Sequence, residues 1–560
     1  MLNLRRYFQR QYMKRVFICI SAALAVISSE VQSGAKAPGE TCAAADSAYV
    51  EVLPFHFLTG DGRDVRSLGE RQGMVEWDIS LYGYGAKDGM PFWGTANRRG
   101  LFPSNLQTGG NRLLDGMGDN RSGATGLMTA GVQTAYLTRP GIVLSGGVSL
   151  AGYFTTCGQW QGIADRLYFG VSWKKLHLDI GMKDRALDEF HGLSLTGGDM
   201  IYTGNSRNLP GYNLSTDFIY IPWTRNILAF KANFADYMMI DNRYTDKTLL
   251  HNEALFLKIT PVKFLSLTLG LEMWSQWSGT SPVYGKQPSS FNDYMRVIFG
   301  KNGGDDATQS DQINVLGNHL GRELIRLDVN AADFTVTFQH DIPFDDRSGM
   351  RFQNFPDGVN TLNFSFKDRD KWVTDILLEF VYTKWQSGPQ HDRPATDEEL
   401  EKNPDNKRVI LGGCDNYFNN GEYRSGWTYY GNTIGLPLFT PMPAEEDGKV
   451  LGVCNNRVTA WHFGLRGNAA GKVPYKLLFT YSRNFGKYNQ SDLGEGADKS
   501  IFLSVPEQFS VALEGEIPHL GKRLPLSLGI GLYGDFGKLY QNSFGLTVRL
   551  SYIGKAHFGK

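Results

Sequence analysis

The sequence predicts an all-β protein: a transmembrane antiparallel β-barrel of the outer membrane with about 18 strands and long extracellular loops. Three observations favour this fold. Apolar and polar residues alternate over strand-length segments, short and long connections follow one another in turn, and an apolar run near the N-terminus resembles an export signal. Formal charge is balanced at 57 basic and 57 acidic residues in 560, which gives no net field to attract nucleic acid.

Alternation with period two is clearest in the segment 263–277, where Leu265, Leu267 and Leu269 face one way and Ser266 and Thr268 the other. A mean hydropathy of −0.30 excludes a polytopic helical membrane protein, which needs several apolar runs of about 20 residues. The predicted strands are 74–84, 127–137, 143–155, 166–173, 176–183, 217–222, 227–238, 253–260, 264–275, 323–330, 333–340, 359–367, 372–385, 458–466, 475–485, 507–516, 525–534 and 543–553.

The connections between these strands are alternately short and long, as in outer-membrane barrels, whose periplasmic turns are short and whose extracellular loops are long. An even strand number places both termini on the periplasmic side, and closure leaves no unpaired backbone edge in lipid. We therefore expect a barrel over 74–553 and a C-terminal tail over 554–560. The large external loops are predicted at 85–126, 184–216, 276–322 and 386–457. Six strand charges are expected to face the lumen: Arg326, Asp328, Glu379, Glu514, Glu516 and Arg549.

The N-terminal segment predicts export. Basic residues between Arg5 and Arg15 precede the uncharged run 16–29, which is too short to span a bilayer and has the length of a secretory apolar region. We expect a cleaved signal peptide over 1–33, a periplasmic segment over 34–73, and a location in the outer membrane of a Gram-negative bacterium. Met13 is an alternative start.

The predicted loops are rich in aromatic, amide and arginine side chains. The stretch 412–435 contains six aromatic residues without strand or helix periodicity, and 91–100 and 202–211 each place an asparagine beside arginine. Aromatic faces and fixed polar groups suit sugars, and arginine suits carboxylates or phosphates. Packing of the loops on one another, as a plug for the barrel, is the alternative. The candidate glycan-binding residues are Trp93, Asn97, Arg98, Asn205, Arg207, Trp385, Asp392, Arg393, Asp415, Asn416, Tyr417, Asn419, Tyr423, Arg424, Trp427 and Tyr429.

Cys414 and Cys454 bracket much of the largest loop, and a disulfide between them would stabilise the fold by on the order of 4 kcal/mol. Cys157 is a rival partner. The cysteines lack metal-ligand spacing, so no metal and no cofactor are expected. Catalytic motifs such as G-x-S-x-G and H-E-x-x-H are absent from the sequence, and the adjacent pairs 340–341 and 391–392 of His and Asp are weak candidates. We expect no enzymatic activity.

Several loop blocks together resemble the Wzi-type capsule assembly family in its Bacteroides form. They are GMPFWGTANRRGLFP, LSLTGGDMIYTGNSRNLPGY, WSGTSPVYGKQPSSFNDY, FQHDIPFDDRSGMRFQNFPDGVNT, KWQSGPQHDRP and DNYFNNGEYRSGWTYYGNTIGLPLFTP, and they cover most of 90–485. The resemblance implies an eighteen-stranded barrel with an occluded lumen that acts as a lectin-like anchor for capsular polysaccharide. The chain departs from the family in two respects. Residues 38–73 are too short for the periplasmic helical bundle of enteric members, and the chain ends in HFGK rather than in an aromatic residue.

The expected partners are capsular polysaccharide or another surface glycan, outer-membrane lipid with lipopolysaccharide, and the barrel-assembly machinery. Two other functions stay open at this point. An eighteen-stranded barrel is wide enough for a porin or glycan-uptake channel, and a barrel hydrolase would use the His–Asp pairs.

Overall fold

The computed structural model describes residues 71–103, 122–139, 142–345, 353–389, 393–404, 408–409, 413–488, 502, 504–518, 520, 526–540 and 542–559. These residues form a closed antiparallel barrel of eighteen strands, in which β1 pairs with both β2 and β18. The strands are β1 Gln72–Lys87, β2 Gly123–Arg139, β3 Ile142–Thr155, β4 Trp160–Trp173, β5 Leu176–Met182, β6 Pro210–Thr216, β7 Leu228–Met238, β8 Leu249–Val262, β9 Leu265–Trp277, β10 Asn318–Asn330, β11 Phe334–Phe344, β12 Gly358–Phe366, β13 Asp375–Tyr382, β14 Val458–Ala469, β15 Val473–Asn484, β16 Glu507–Ile517, β17 Leu526–Gly537 and β18 Ser543–Gly559. The predicted fold class and strand number are therefore confirmed.

Most observed strands differ from the predicted ranges by a few residues at their ends, and two differences reassign a whole segment. The sixth strand lies at Pro210–Thr216 rather than at 217–222, because Tyr212 and Leu214 continue the outward apolar face. A short strand, Ile219–Tyr220, and a 3-10 turn, Pro222–Thr224, follow it. The last strand runs to Gly559, so residues 554–559 are not a tail: they pair with the first residues of β1.

The alternation predicted from sequence separates the two faces of the barrel wall. Outward apolar side chains such as Leu255 and Leu532 are 59% and 51% exposed and form a band around the barrel. Inward positions carry buried polar and charged groups, for example the ion pair between Arg549 on β18 and Glu516 on β16. This arrangement, apolar outside and polar inside, is that of barrels that cross a membrane.

Four short helices lie in the connections: α1 Phe92–Thr95, α2 Phe291–Ile298, α3 Gln309–Ile313 and α4 Asp397–Lys402. In the part of the chain that the structure describes, no helix is both long enough and apolar enough to span a membrane. Four two-stranded ladders also lie there: Thr280–Ser281 with Gly285–Lys286, Arg393–Pro394 with Arg408–Val409, Thr428–Tyr429 with Asn432–Thr433, and Thr440–Pro441 with Val453–Asn455.

Four connections at one end of the barrel, called the loop end, position the site. They are the first loop (88–122, described over 88–103 and at 122), the crossing loop (183–209), the outer loop (278–317) and the large loop (383–457). The first, crossing and large loops share one apolar core with inward wall residues. Representative members are Trp93, Phe102, Leu195, Ile201, Trp427 and Phe439 from the loops and Trp274 and Leu320 from the wall.

Candidate functional site

The crossing loop passes through the lumen from one wall to the opposite one. The amide of Leu195 donates to the Glu379 carboxylate on β13 at 2.8 Å, and the side-chain amide of Asn208 donates to the carbonyl of Asp165 on β4 at 2.8 Å. Strands β4 and β13 are nine positions apart in a ring of eighteen, so they face each other across the barrel. The loop is therefore bonded to both ends of a barrel diameter.

A buried arginine fixes the middle of the crossing loop. Arg322 on β10 donates to the carbonyl of Gly198 at 2.6 Å. Its guanidinium also lies 2.8 Å from Glu272, 3.3 Å from Asp199 and 3.3 Å from Asp341. A buried charge needs partners of opposite sign, and three carboxylates supply them here. The loop is held by directed contacts as well as by apolar packing.

The first loop is tied to strands β15 and β16 through two residues that were predicted to bind glycan. The indole N–H of Trp93 donates to Thr480 at 3.1 Å, and Arg98 pairs with Glu514, which also lies 3.0 Å from Lys476. Trp93 and Arg98 are buried. Their side chains hold the loop to the wall in this structure, and the role of both as ligand contacts stays a prediction.

Arg99 connects the first loop to β4 and to the start of the crossing loop. Its guanidinium lies 2.7 Å from Asp165 and 3.0 Å from Asp184. Burial opposes the charged form of Asp184, but Arg99 and Arg166 hold the pKa of its carboxyl below the usual value. This ion-pair group closes the same side of the lumen at which the crossing loop leaves the wall.

The two asparagine–arginine motifs, 91–100 and 202–211, meet inside the barrel, where the first, crossing and large loops pack together. We call these three packed loops the plug. The backbone N–H of Asn97 donates to the side-chain oxygen of Asn205 at 3.1 Å, and the Asn97 amide donates to the carbonyl of Leu195 at 3.0 Å. The Asn205 amide donates to the carbonyl of Thr433 in the large loop at 3.1 Å. These two predicted residues thus join the three loops to one another.

The large loop packs its aromatic residues inward. The indole N–H of Trp427 donates to the carbonyl of Ile201 at 2.7 Å, and the hydroxyl of Tyr417 donates to Asp357 at 2.9 Å. The hydroxyl of Tyr423 donates to the carbonyl of Ser278 at 3.2 Å. Four aromatic candidates and one acid are buried rather than exposed to ligand: Tyr417, Tyr423, Trp427, Tyr429 and Asp415.

The asparagine residues of the large loop that were predicted to bind glycan form hydrogen bonds within that loop. Asn419 accepts from the amide of Val453 at 2.8 Å and donates to the carbonyl of the same residue at 3.2 Å. Asn416 accepts from Asn419 at 2.9 Å and from Asn456 at 2.7 Å. The half-buried Trp385 donates its indole N–H to the carbonyl of residue 353 at 3.0 Å. These side chains stabilise the fold of the loop.

Two candidate arginines lie at the surface of the large loop. Arg393 pairs with Glu399 at 2.8 Å, and the guanidinium of Arg424 lies 5.1 Å from the ring centre of Tyr244. Asp392 falls outside the described residues. The predicted candidates therefore do not form one site.

A different set of side chains comes together where the crossing loop, the large loop and the ends of β3 and β4 meet. We call it the mouth cluster: Tyr153, Gln161, Arg207, Tyr430 and Asn432. The Arg207 guanidinium lies 4.1 Å from the ring centre of Tyr430 and donates to Gln161 at 2.9 Å, and Gln161 also accepts from Tyr153 at 2.9 Å. Tyr430, Gln161 and Asn432 are half-buried, whereas Tyr153 and Arg207 are buried, so only part of the cluster reaches solvent.

The mouth cluster retains unused hydrogen-bonding groups. Within the described part of the chain, the side-chain nitrogen of Asn432 and Nε of Arg207 have no hydrogen-bond partner. Burial raises the pKa of Tyr430, so that its hydroxyl stays protonated in neutral solution. An aromatic ring with amide and guanidinium groups beside it can stack on a sugar and bond its hydroxyls.

The sequence analysis found Arg207 but missed the other four members of the cluster. Tyr430 belongs to the aromatic stretch 412–435, and strand alternation could have placed Tyr153 and Gln161 at inward strand ends. These residues lie beside Arg207 only because two loops fold over the lumen. The periodicity of the sequence does not predict how loops fold.

The predicted disulfide between Cys414 and Cys454 is absent, since Cys157, Cys414 and Cys454 are all free thiols in the structure. Cys454 is 1% exposed, packs against Phe502 and Leu539, and donates to the carbonyl of residue 440 at 3.4 Å. Burial raises the pKa of Cys454 to about 12. The short strand that holds Cys454 directs its sulfur into this apolar group, away from the half-buried Cys414.

The His340–Asp341 pair does not form an acid–base dyad. Asp341 faces the lumen and contacts Arg322 at 3.3 Å, whereas His340 is the next residue on the same strand and lies on its other face. His391 lies outside the described residues. Over the described ranges, no group of three or more His, Cys, Asp or Glu residues is placed to hold a metal ion.

No protein-family model and no curated protein sequence matches the chain. Several solved outer-membrane barrels are similar in fold. One is Wzi of Escherichia coli, "an Outer Membrane Protein Involved in Group 1 Capsule Assembly" and "a Carbohydrate Binding Beta-Barrel", at 11% identity and a TM-score of 0.48 over 85% of this chain and 83% of that one. Two others, from Pseudomonas aeruginosa, are OccK5, at 8% identity and a TM-score of 0.42 over 86% and 98%, and OpdK, at 8% and 0.43 over 86% and 99%.

Proposed function

We propose that this protein is a non-enzymatic outer-membrane β-barrel that binds capsular or other surface polysaccharide at the mouth cluster and supports its attachment to the cell. The observation that carries the proposal is the buried Arg207 guanidinium 4.1 Å from the ring centre of the half-buried Tyr430, in a lumen that is crossed by a bonded loop.

The membrane placement rests on the outer face of the barrel. The apolar band has side chains such as Leu255 and Leu532 turned outward, and soluble proteins rarely expose a continuous apolar surface of this kind. A lipid bilayer would cover this apolar surface. The long loops then lie outside the cell, where polysaccharide is available to the mouth cluster.

Binding is favoured over transport because of how the lumen is filled. The crossing loop is bonded to the opposite strands β4 and β13, and the Arg322 ion-pair group fixes its middle. To open a channel, the crossing loop would have to leave the lumen. Its departure would separate buried ion pairs and leave charges without partners, which costs free energy. The Glu379 and Asp165 contacts therefore support a fixed plug.

The chemistry of the mouth cluster suits an acidic or hydroxyl-rich sugar chain. Nε of Arg207 and the amide nitrogen of Asn432 are buried without a hydrogen-bond partner among the described residues, so a side-chain rotation that exposes them would let them donate to a uronic-acid carboxylate or to hydroxyl oxygens. The ring of Tyr430 offers an apolar surface to the C–H face of a pyranose. One saccharide unit is enough to engage these three groups together.

The test is a glycan-array and calorimetric measurement on the purified barrel, with Arg207→Met and Tyr430→Ala as variants. Arg483→Met is the matched control, because Arg483 is an exposed arginine 5.7 Å from the ring centre of Phe485 and is not among the predicted glycan-binding residues. We expect both cluster variants to weaken glycan binding at least about fivefold, since each loses one or more contacts worth about 1 kcal/mol. The control should bind as the parent does. Binding that is unchanged in both cluster variants would contradict the proposal.

Single-channel recording of the same preparation separates binding from transport. A fixed plug predicts conductance far below that of an open barrel of this strand number. A large stable conductance, together with glycan flux that is independent of Arg207 and Tyr430, would identify a channel instead.

A further inference from the structure

A cavity of about 460 Å³ lies outside the barrel, between helix α2 of the outer loop and strands β6 to β9. We call it the lateral pocket. Its walls include Tyr212, Asp236, Met238, Trp277, Ser290 and Tyr294. Helix α2 begins beside the pocket at an N-terminal capping box formed by Ser290 and Asp293.

Strand alternation places the pocket on the outer face of the wall. On β7, Ala235 and Tyr237 are buried on the lumen side, whereas Met238 is 52% exposed on the other side. Asp236 shares the outward face with Met238 and is paired directly with Tyr212 on β6. The pocket is therefore separate from the plug and from the mouth cluster.

A carboxylate surrounded by hydrogen-bond donors forms the polar floor of the pocket. One oxygen of Asp236 accepts from the hydroxyl of Tyr294 at 2.7 Å and from the hydroxyl of Tyr212. The other oxygen lies 2.9 Å from Nδ1 of His251. The hydrogens of both phenols are thus directed at Asp236, so each phenolic oxygen keeps acceptor capacity. The two hydroxyls also interact with each other, and that of Tyr294 lies 3.4 Å from Nδ1 of His251.

The floor of the pocket is continuous with the apolar band of the barrel. Leu214 on β6 and Leu255 on β8 are exposed on the same face, further from the loop end. At the two ends of helix α2, Phe291 and Phe299 are 74% and 62% exposed. Large exposed apolar side chains on a helix beside a membrane-spanning wall indicate a helix at the membrane surface.

We propose that the lateral pocket binds an outer-leaflet glycolipid, with a hydroxyl-bearing part of its sugar or acyl chain on Tyr212, Tyr294 and Asp236 and its hydrocarbon along Leu214 and Leu255. The inference uses the membrane placement of the proposed function but does not depend on glycan binding at the mouth. Continuity with the apolar band identifies the occupant as a lipid.

The polar chemistry selects the part of the lipid. Phenolic oxygens whose hydrogens are engaged, together with a carboxylate, receive hydrogen bonds from a ligand that donates. Glu253, 3.8 Å from the second nitrogen of His251, adds another negative charge nearby. While His251 is neutral, Asp236 and Glu253 repel a phosphate group. The contact is therefore made by hydroxyl or amide groups, and the phosphates of the glycolipid lie outside the pocket.

The experiment measures glycolipid retention by native mass spectrometry, with the full-length barrel in detergent and rough lipopolysaccharide as the probe. A dephosphorylated form and phosphatidylethanolamine are compared with it. The test variants are the double change Tyr212→Phe with Tyr294→Phe, which removes both acceptors, and Met238→Trp, which fills the pocket and leaves the polar floor intact. Tyr284→Phe is the matched control, because Tyr284 is an exposed tyrosine of the outer loop that does not line the pocket.

We expect both test variants to lower the apparent affinity for lipopolysaccharide about tenfold or more, the double variant because two hydrogen bonds are lost and Met238→Trp because the new side chain occupies the pocket. The dephosphorylated lipid should bind as well as the parent lipid, and Tyr284→Phe should be unchanged. Equal retention in the parent and Met238→Trp overturns the proposal even if the double variant folds poorly. Binding that requires the phosphates, or equal binding of phosphatidylethanolamine, also overturns it. Loss of lipid retention with normal glycan binding at the mouth separates this inference from the proposed function.

Discussion

The indole N–H of Trp427 donates a hydrogen bond of 2.7 Å to the carbonyl oxygen of Ile201, and this contact joins the large loop to the loop that crosses the lumen. Two backbone hydrogen bonds lie on either side of this contact. The amide of Thr203 donates to the carbonyl of Ile434 at 2.8 Å, and the amide of Leu436 donates to the carbonyl of Met200 at 2.9 Å. The two loops therefore behave as one body, and the fully buried Trp427 ring is its largest shared side chain.

Replacement of Trp427 by alanine should loosen the plug without unfolding the barrel. Truncation of a buried tryptophan costs about 3–5 kcal/mol, and this cost falls on the contact between the two loops because the wall strands are bonded to one another. We expect higher single-channel conductance and faster proteolysis of the large loop. Trp223→Ala is the control, because Trp223 is 85% exposed in the 3-10 turn after β6. Equal conductance in the two variants would show that Trp427 does not hold the plug.

Replacement of Arg322 by methionine should destabilise the crossing loop through uncompensated charge. Glu272, Asp199 and Asp341 would remain buried without their cation, and the loss of one partner of a buried ion pair costs about 3–5 kcal/mol. The measurement is the temperature at which the folded form loses its characteristic mobility in detergent gels. Arg393→Met is the control: its ion pair with Glu399 lies at the surface, so no change is expected. Similar effects of both variants would contradict the structural role of Arg322.

The sequence predicts which strand residues face the lumen and which face outward, because successive side chains of a strand point to opposite faces of the barrel wall. Leu269 and Thr268 differ in this way, and the difference repeats every two residues with the pleat. The number of strands and their antiparallel order follow from the same pattern. The sixth strand was misplaced because it begins with Pro210 and Gly211 and only Tyr212 and Leu214 carry its outward apolar face.

The plug could not be predicted in the same way. The aromatic residues of 412–435 have no period because they fill an irregular space between three loops, so Trp427 and Tyr417 looked like surface side chains. Burial in a loop core depends on contacts far apart in the chain, such as that between Asn205 and Thr433. Most of the predicted glycan-binding residues pack against other loops in the structure. Such packing is the alternative that the sequence left open.

The thiol chemistry of the chain provides a third prediction. Peptide mapping of protein denatured without reductant should find Cys414 and Cys454 unlinked, because both are free in the structure. In the folded protein, maleimide should label the exposed Cys157 first and the buried Cys454 last, since a buried thiol with a pKa of about 12 must be uncovered before it reacts. A recovered peptide pair that joins Cys414 to Cys454 would refute this.

The docking of the large loop should weaken with rising pH because of Asp357. Burial raises the pKa of the Asp357 carboxyl to about 7, although the amides of Gln386 and Trp385 and the hydroxyl of Tyr417 favour its charged form. The docked loop thus holds a proton that an exposed aspartate releases above about pH 4. Stability of the docked state should fall between about pH 4 and 7, by at most about 1.4 kcal/mol per pH unit, and level off above 7.

The pH dependence can be measured as the alkylation rate of Cys454, which is 1% exposed in the same loop. The rate is divided at each pH by that of Asp357→Asn, so that the ionisation of the thiol itself cancels. The neutral side chain of the variant carries no proton linkage. The ratio of the parent rate to the variant rate should rise from pH 5 to pH 7 and then remain constant. A ratio that is flat across this range, or that falls, would mean that Asp357 is ionised in the docked loop and that its three donors outweigh the cost of its burial.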